Sequence, residues 1–312
     1  MKIGVDLGGT TTAAALVDDN GRISEHLVIP SDSEGGSPAI VDGIINLCLE
    51  LIDKSKEKVV SVGIGVPGHV NEKTSEVLFA PNLPINGLKI ADAVKEKIGI
   101  PIYVGNDANC AAMGELVAGS LRGTELGVFV ILGTGVGGGV IINGKPLSGK
   151  SGAGGELGHM VIAAEGRECG CGRLGCWEAY SNSAGLAATA NEIASNYPES
   201  QIWQFCNGEI SRKKGKEIFN AYRCGDYAAR LIIERYISHL AIGVTNIISI
   251  FEPEIIAFGG GISNAWDCLE SGLIAAIDAE KKTWFSDKIA KTRIVKAILG
   301  DEAGIIGAAN LA

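Results

Sequence analysis

The sequence predicts an α/β protein made of two similar halves, each with a mostly parallel sheet and helices on its faces. Three observations support this prediction. Short apolar runs of strand length alternate with stretches of helical apolar spacing, which is typical of parallel sheets. A pattern of strand, glycine-threonine loop and strand occurs twice, which indicates an internal duplication. The 312 residues correspond to about two domains of roughly 150 residues each.

The first half begins with a predicted β-hairpin. An apolar strand over residues 2–6 is followed by a turn with two glycines and three threonines, and a second strand returns over 13–17. The apolar periodicity then predicts a helix (38–54), a buried strand (59–66), a helix ended by Gly99 (88–98), a strand (100–104) and a helix (108–117).

The second half repeats the opening pattern with a strand over 127–132, a glycine loop over 133–139 and a returning strand over 140–142. A helix (183–194) is followed by a polar, weakly patterned stretch to about Gly225. The apolar residues from Ile237 to Phe251 recur at helical spacing and stop before Pro253, which predicts a long buried helix. A strand (254–258) that runs into three glycines and a final helix (303–311) complete the half.

Composition and charge restrict the partners and the location. The chain has 27 Lys and Arg against 36 Asp and Glu, a net charge of −9, so we expect neither nucleic acid nor a membrane as partner. Asp6 interrupts the amino terminus before a secretory apolar segment can form. The longest uncharged stretch, 126–144, holds seven glycines and reads as two strands rather than a membrane helix. We therefore expect a cytoplasmic protein with reduced cysteines.

Glycine-rich turns indicate where a ligand binds. The chain has 44 glycines, about 14% of its residues and twice the usual share of about 7%. Three glycine-rich turns (8–12, 133–139 and 259–261) each follow an apolar strand, where bare backbone N–H groups can contact an anion. A single such turn is explained equally well by an ordinary hairpin. Three of them together predict a polyphosphate site, and none matches the Walker pattern.

Two aspartates at strand ends are candidates for chemistry. Asp6 ends the first strand beside the first glycine turn, where a carboxylate can hold Mg²⁺ through water or simply cap the turn. Asp107 lies at a junction between strand and helix. It is either the helix N-cap or a general base for a substrate hydroxyl.

Four metal-binding side chains occur within 18 residues: His159, Cys169, Cys171 and Cys176. One histidine and three cysteines in a glycine-rich segment predict a four-coordinate structural zinc site, and buried reduced thiols are the alternative. Glu156 and Glu178 flank this cluster. A metal-held loop would keep these carboxylates in place for a polyol, although each alone could be a solvated loop acid. The other five cysteines are scattered and fit small buried hydrophobes.

Taken together, these motifs resemble the ROK family of sugar kinases and sugar-responsive repressors, most of all its bacterial glucokinases. The resemblance runs from Lys2 to Asn310 and is carried by residues 6–10, 105–109, 132–139, 156–159 and 169–176. It implies the actin-like ATPase (ribonuclease H-like) fold, with the active site in a cleft between two α/β lobes. We expect a smaller lobe of residues 1–117 plus 300–312 and a larger lobe of residues 118–299 that contains the zinc loop.

The resemblance also implies an activity and its residues. The protein would phosphorylate the 6-hydroxyl of glucose with ATP and Mg²⁺, and Asp107 would be the catalytic base. The sugar contacts would be Gly68, Asn82, Asn106, Glu156, His159 and Glu178. Phosphates, Mg²⁺ and adenosine would bind at Asp6, Gly8, Gly9, Thr10, Thr11, Gly133, Thr134, Gly135, Gly260 and Gly261. One departure is Thr12, where many members have Lys after Gly-Gly-Thr, and we expect the missing cation to change ATP affinity or the choice of phosphoryl donor.

Alternative functions stay open. The motifs do not separate glucose from other hexoses such as N-acetylmannosamine, N-acetylglucosamine, fructose or allose. A repressor without turnover is a second hypothesis, but repressors of the family carry a helix-turn-helix before the sugar domain, and the phosphate loop here already begins at Gly8. A catalytically inactive sugar sensor is a third, and the retained Asp107 argues against it. We further expect a homodimer, as is common in the family, and a role in carbohydrate metabolism through glycolysis.

Overall fold

The computed structural model describes residues 1–281 and 291–311. It separates into two compact units. Unit 1 consists of Met1–Phe129, Gly139–Gly155 and Ala297–Ala312, and unit 2 consists of Val130–Gly138 and Glu156–Lys296. The predicted lobes instead place residues 118–129, 139–155 and 297–299 with the larger lobe, and that larger lobe also includes residues 282–290, which lie outside the described residues.

The strands form two five-stranded sheets and one small hairpin within the described part of the chain. In chain order they are β1 (Lys2–Leu7), β2 (Thr11–Val17), β3 (Ile23–Pro30), β4 (Val62–Val66), β5 (His69–Asn71), β6 (Glu76–Phe79), β7 (Ile102–Asn106), β8 (Leu126–Leu132), β9 (Val136–Ile142), β10 (Lys145–Pro146), β11 (Ile255–Gly259) and β12 (Arg293–Lys296). The sheet orders are β3-β2-β1-β4-β7 and β10-β9-β8-β11-β12, and β5 pairs with β6.

The two sheets share one topology. In each sheet the first strand of its half lies at the centre, the second and third follow on one side, and the fourth and fifth follow on the other. In the first sheet β1 to β3 are antiparallel, while β4 and β7 run parallel to β1. This repeated order confirms the internal duplication that the two glycine-threonine loops predict.

The helices are α1 (Gly36–Lys54), α2 (Ile90–Ile98), α3 (Asp107–Ala118), α4 (Glu178–Ser181), α5 (Ser183–Ala194), α6 (Ile202–Phe205), α7 (Gly215–Arg223), α8 (Tyr227–Phe251), α9 (Trp266–Lys281) and α10 (Glu302–Ala309). Short 3₁₀ helices cover Leu157–His159 and Gly261–Ala265. The predicted helix over 183–194 agrees with α5 at both ends, and α2 ends at Gly99, which adopts the left-handed conformation with φ of 76°.

The main core of unit 1 lies between its sheet and helices α1 and α2, and α10 packs directly on the sheet in a second, smaller cluster. A Cβ atom at Gly4 would lie 1.9 Å from the carbonyl oxygen of Ile305, and one at Gly63 would lie 1.7 Å from that of Ala308. Both positions therefore need glycine, because any side chain would push α10 off the sheet. This close packing also places the first turn of α10 beside Asp6, whose carboxylate is 3.0 Å from an ideal Cβ at Gly304.

A buried carboxylate ties the end of the chain to unit 1. Glu115 of α3 is fully buried and accepts hydrogen bonds from the backbone N–H groups of Ser120, Ile298 and Leu299 at 2.6, 3.2 and 2.9 Å. Because a buried carboxylate without such donors would be strongly destabilising, these bonds hold the segment that precedes α10 against α3.

Helix α8 is the long buried helix that the apolar spacing predicts, and it begins ten residues before Ile237. It ends at Glu252, which takes the left-handed conformation with φ of 48° one residue before Pro253. Within the described residues α8 is also the one helix long and apolar enough to cross a membrane, with a mean hydropathy of 1.3. Because 61% of its most apolar window is buried within the protein, it packs as a core helix.

Several elements are absent from the sequence prediction. Strand β3 is not predicted because it is an edge strand without strict apolar alternation. Five of its eight residues are exposed, and three of those five are polar. Helix α7 falls in the stretch that reads as polar and weakly patterned, and only Ile218, Phe219 and Ala221 of its nine residues are buried. The hairpin β5–β6, helices α6 and α9 and strand β12 are likewise missing from the prediction.

Candidate functional site

Asp107 is the first residue of α3 and stands directly after β7. The preceding residue, Asn106, is the N-cap: its φ and ψ are −66° and 142°, and its side chain accepts a hydrogen bond from the N–H of Asn109 at 3.0 Å. The Asp107 carboxylate accepts from the N–H of Ala108 at 2.8 Å. The capping role that was open for Asp107 therefore belongs to Asn106.

The Asn106 side chain also connects Asp107 to Gly68. Its amide nitrogen donates to the carbonyl oxygen of Gly68 at 2.9 Å and to Asp107 Oδ1 at 3.0 Å. Gly68 has a φ of 107°, and a Cβ there would lie 2.0 Å from the carbonyl oxygen of Phe79. The structure thus brings three predicted site residues together in unit 1, and it orients one Asp107 oxygen by two donors.

The first glycine turn is tight and exposed. The N–H of Gly8 donates to the carbonyl oxygen of Thr11 at 2.9 Å, and Gly9, Thr10 and Thr11 are all exposed. The Cβ of Asn82 lies 3.6 Å from an ideal Cβ at Gly9, so this predicted sugar contact lies beside the turn. Backbone groups at the turn are therefore accessible to an anionic ligand.

The expectation for Thr12 is wrong. The residue that directly follows Gly8-Gly9-Thr10 is Thr11, which is exposed, whereas Thr12 is buried in the alternation of β2. Thr12 Oγ1 lies 2.8 Å from Ser31 Oγ, which in turn donates to the carbonyl oxygen of Gly8 at 2.7 Å. Thr12 therefore supports the turn from inside, and the position of the missing lysine corresponds to Thr11.

Asp6 is partly buried at the end of β1. Burial, with a smaller contribution from the negative charge of Asp301, raises the pKa of the Asp6 carboxyl above its usual range. A carboxylate with this environment is stabilised by a cation. The position therefore suits a ligand of Mg²⁺, bound directly or through water.

Asp6→Asn is expected to stabilise the fold while it lowers activity. Because the folded-state pKa is raised, ionising Asp6 destabilises the native state as pH rises from the unfolded pKa to the folded one and above. The melting temperature of the variant, measured in magnesium-free buffer, should exceed that of the wild type more at pH 7 than at pH 4. An equal difference at both pH values would show that ionising Asp6 does not destabilise the native state.

The predicted zinc ligands converge in unit 2. The ligand atoms of His159, Cys169, Cys171 and Cys176 all lie within 4.8 Å of one another. Cys169 Sγ is 3.8 Å from His159 Nδ1, and the Sγ atoms of Cys171 and Cys176 are 3.7 Å apart. Tetrahedral zinc with Zn–S bonds of about 2.3 Å requires sulfur atoms about 3.8 Å apart, so the residues present fit a closed zinc site.

The backbone around the cluster explains its glycines. The N–H of Gly172 donates to the carbonyl oxygen of Cys169 at 2.9 Å in a tight turn, and Gly172 has a φ of 84°. Gly175 has a φ of 76°, and a Cβ there would lie 1.6 Å from the carbonyl oxygen of Ala163. These turns allow three cysteines within a segment of eight residues to face one point.

Glu178 lies between the cysteine cluster and the second glycine loop. Its Oε1 is 3.5 Å from Cys169 Sγ, and its Oε2 accepts a hydrogen bond from the N–H of Val136 at 2.8 Å. Two hydrogen bonds link α8 to the segment 177–181 that contains α4: Trp177 Nε1 donates to the carbonyl oxygen of His239 at 3.0 Å, and Tyr236 Oη donates to that of Ser181 at 2.6 Å. The predicted sugar contact Glu178 is therefore rigidly placed next to the metal ligands.

A cavity of about 610 Å³ opens in unit 2. It is lined by Gly133 and Thr134 of the second glycine loop, Gly261 of the third, and Ser183, Arg212 and Lys216 among others. Gly260 has a φ of 82°, and a Cβ there would lie 2.5 Å from the carbonyl oxygen of Leu132, so the third turn needs glycine for its approach to β8. The volume suits a nucleotide, and the basic side chains suit its phosphates.

Sequence reasoning missed the basic side of this cavity. Arg212 belongs to the one run of three basic residues in the sequence, Arg212-Lys213-Lys214. Arg223 also lines the cavity and forms a two-bond ion pair with Asp267 at 2.8 Å, and this pairing holds the pKa of Asp267 at about 2. A short basic run just before a helix of the second half is the sequence signal that could have predicted these basic side chains.

Comparison with known proteins identifies relatives along the whole chain. The ROK family model matches residues 2–312. A glucokinase of Thermotoga maritima is 35% identical over 310 residues, covering 99% of this chain and 96% of the relative. An N-acetyl-D-glucosamine kinase of Shigella boydii is 31% identical, covering 100% and 99%.

A solved structure agrees with the sequence relatives. The ROK family glucokinase of Streptomyces griseus, crystallised with glucose and AMPPNP, superposes with a TM-score of 0.79 and 33% identity, covering 100% of this chain and 98% of that one. The family, the actin-like fold and the hexose kinase activity predicted from the motifs are thereby confirmed.

Proposed function

The chain belongs to the ROK family, and from that premise we propose that it transfers the γ-phosphoryl group of ATP to the 6-hydroxyl of glucose. One observation carries the proposal: a chain similar over its full length to glucokinases keeps a carboxylate, Asp107, held at the end of a strand by Asn106 and the N–H of Ala108. No second base is required for this phosphoryl transfer.

In the proposed reaction Asp107 accepts the proton of the sugar 6-hydroxyl. The hydroxyl oxygen forms a bond to the γ-phosphorus, the bond from that phosphorus to the β,γ-bridging oxygen breaks, and ADP leaves with the electron pair. Asp6 is assigned to Mg²⁺, which neutralises phosphate charge when bound. Asn106 acts by orienting the Asp107 carboxylate through its amide nitrogen.

The nucleotide is assigned to the glycine turns and to the cavity of unit 2. Backbone N–H groups of residues 8–11 and 133–135, and the turn of Gly260 and Gly261, would contact the phosphates and adenosine. Arg212 and Lys216, which line the cavity, add positive charge for the phosphates. Because the transition state carries negative charge on the phosphoryl oxygens, these donors contribute electrostatic stabilisation.

The proposed sugar contacts are Gly68, Asn82 and Asn106 of unit 1 and Glu156, His159 and Glu178 of unit 2. The zinc proposed for His159, Cys169, Cys171 and Cys176 would be structural, because four protein ligands leave no open position for water. Its contribution is to keep the segment between Glu156 and Glu178 in one conformation. With Nδ1 of His159 beside Cys169, the other ring nitrogen is left for a sugar hydroxyl.

The remaining proposals follow from the family. We place the protein in the cytoplasm as a homodimer, where glucose 6-phosphate would enter glycolysis. N-acetylglucosamine is a second candidate substrate, because an N-acetyl-D-glucosamine kinase is 31% identical over the whole chain. The location of the reacting groups in a cleft stays a prediction.

A coupled ADP-release assay tests the function. Glucose, N-acetylglucosamine, N-acetylmannosamine, mannose, fructose and allose are compared by kcat/KM, and formation of the 6-phosphate is checked by its oxidation with glucose-6-phosphate dehydrogenase. Glucose should have the highest kcat/KM. A higher value for N-acetylglucosamine would assign the chain to that sugar, and no ADP release with any of the six would overturn the proposed activity.

A further inference from the structure

The segment from Glu178 to Ser183 makes three hydrogen bonds to the second glycine loop. Ser183 N–H donates to the carbonyl oxygen of Gly133 at 2.8 Å, and Asn182 Nδ2 donates to that of Thr134 at 3.1 Å. Glu178 Oε2 accepts from the N–H of Val136 at 2.8 Å. We call residues 178–183 the brace and residues 133–136 the braced loop.

The direction of these bonds orients the peptides of the braced loop. The described peptide bonds are trans, so the carbonyl of each residue points opposite to the N–H of the next residue. Because the brace binds the carbonyls of Gly133 and Thr134, the N–H groups of Thr134 and Gly135 point away from the brace. Gly133, Thr134 and Ser183 all line the 610 Å³ cavity, so the brace fixes the loop backbone where it borders that cavity.

The loop sequence is adapted to the brace. A Cβ at Gly135 would lie 2.7 Å from Glu178 Oε2, so glycine is required for the carboxylate to reach Val136. Glycine-rich segments are flexible when unrestrained, and ordering one on ligand binding costs conformational entropy. Three bonds that restrain the loop before the ligand arrives remove part of that loss.

The brace itself has a rigid support. Trp177 is fully buried, and a Cβ at Gly243 of α8 would lie 2.1 Å from its ring, so the indole is packed directly on the helix backbone. Tyr236 of α8 is also fully buried and donates to the carbonyl oxygen of Ser181. Burial raises the pKa of Tyr236 far above its usual value, so the hydroxyl stays a donor at every physiological pH.

We propose that the brace sets the conformation of the braced loop for nucleotide phosphates, and that Asn182 is a positioning residue for the nucleotide that touches neither substrate. Glu178, assigned above to the sugar, has a second role on the nucleotide side through its bond to Val136. The proposal rests on the proposed function only in taking a nucleotide as the ligand of the cavity.

Asn182→Asp tests the positioning role. The substitution keeps an oxygen to accept from the N–H of Gly185, which Asn182 caps at 2.7 Å, but it replaces the donor to Thr134 by an acceptor. We expect the Kd of MgADP, measured by calorimetry on sugar-free protein, to rise about tenfold, the effect of losing one hydrogen bond and leaving a carbonyl unpaired. The glucose KM and the melting temperature should stay those of the wild type.

Asn196→Asp is the matched control. It adds the same negative charge to an exposed residue beyond the other end of α5, about 20 Å from Asn182 along a helix that rises 1.5 Å per residue. The MgADP Kd of this variant should equal that of the wild type. An equal loss of affinity in both variants would assign the effect to net charge and overturn the brace.

Two Glu178 variants give an independent test. Glu178→Gln keeps an oxygen for the N–H of Val136, whereas Glu178→Ala removes it. We expect Glu178→Gln to raise the glucose KM but leave the MgADP Kd unchanged, and Glu178→Ala to raise both. A wild-type MgADP Kd in Asn182→Asp or in Glu178→Ala would overturn the proposal. If the wild-type chain phosphorylates none of the sugars but these variants still lose MgADP affinity, the proposed function is wrong and the role of the brace is supported.

Discussion

Asp107→Asn is expected to lower kcat by about 10²- to 10⁴-fold while glucose binding is retained. A positioned general base contributes about this factor to a proton transfer, and an amide cannot accept the proton. The side chain of Asn keeps an oxygen in the place of Oδ1, so the bonds from Ala108 and Asn106 can persist and the fold should not change. Turnover is measured by ADP release, and glucose binding by calorimetry.

The control for Asp107→Asn is Asp92→Asn, which makes the same change at an exposed position of α2 in the same unit. Its kcat should equal that of the wild type. Near wild-type turnover in Asp107→Asn would exclude this residue as the base, and loss of glucose binding along with turnover would show that the carboxylate acts as a sugar contact instead.

Removal of zinc is expected to have the second largest effect. Metal analysis of the purified protein should give one zinc per chain. Stripping it should lower the melting temperature and raise the Kd of glucose at least about tenfold, because the metal supplies much of the free energy that orders residues between Glu156 and Glu178. Stripping is followed by fluorescence of the tryptophans, since Trp177 lies in this segment.

Cys171→Ser provides the same test without a chelator. Cys171 is exposed, so its substitution removes one zinc ligand with little change in packing, and the zinc content should fall. Cys224→Ser is the control, because Cys224 is exposed as well but lies outside the ligand cluster. A zinc-free protein that binds glucose with an unchanged Kd would show that the loop is ordered without the metal.

Local sequence signals account for much of the fold. Helix α5 and the end of α2 are encoded within a few residues, through apolar spacing, caps and a left-handed glycine. The repeated strand and glycine-threonine loop predicts the duplication that the two sheet orders share. The His159 and cysteine spacing predicts a cluster because ligands close in sequence need only tight turns to converge.

Other features depend on partners far apart in the chain. In the sequence Glu115 looks like an ordinary acidic residue of a helix. It is nevertheless fully buried, and residues 183 and 184 positions later in the chain donate hydrogen bonds to it. Gly4 and Gly63 read as ordinary strand residues, and only the packing of α10 shows why no side chain fits. Thr12 was placed in the turn, whereas β2 begins at Thr11, two residues earlier than the predicted strand over 13–17, and its alternation buries Thr12.

By itself the sequence determined the family and the α/β architecture, and it predicted the Cys/His cluster and the candidate base, since these motifs consist of residues close together along the chain. Only the tertiary structure decided that Asn106, and not Asp107, is the N-cap of α3. It also decided which basic residues line the cavity of unit 2, and that Glu178 and Asn182 hold the loop of Gly133 and Thr134. The contacts of Glu178 and Asn182 join segments more than 40 residues apart, and their energies depend on distances and burial that no local pattern records.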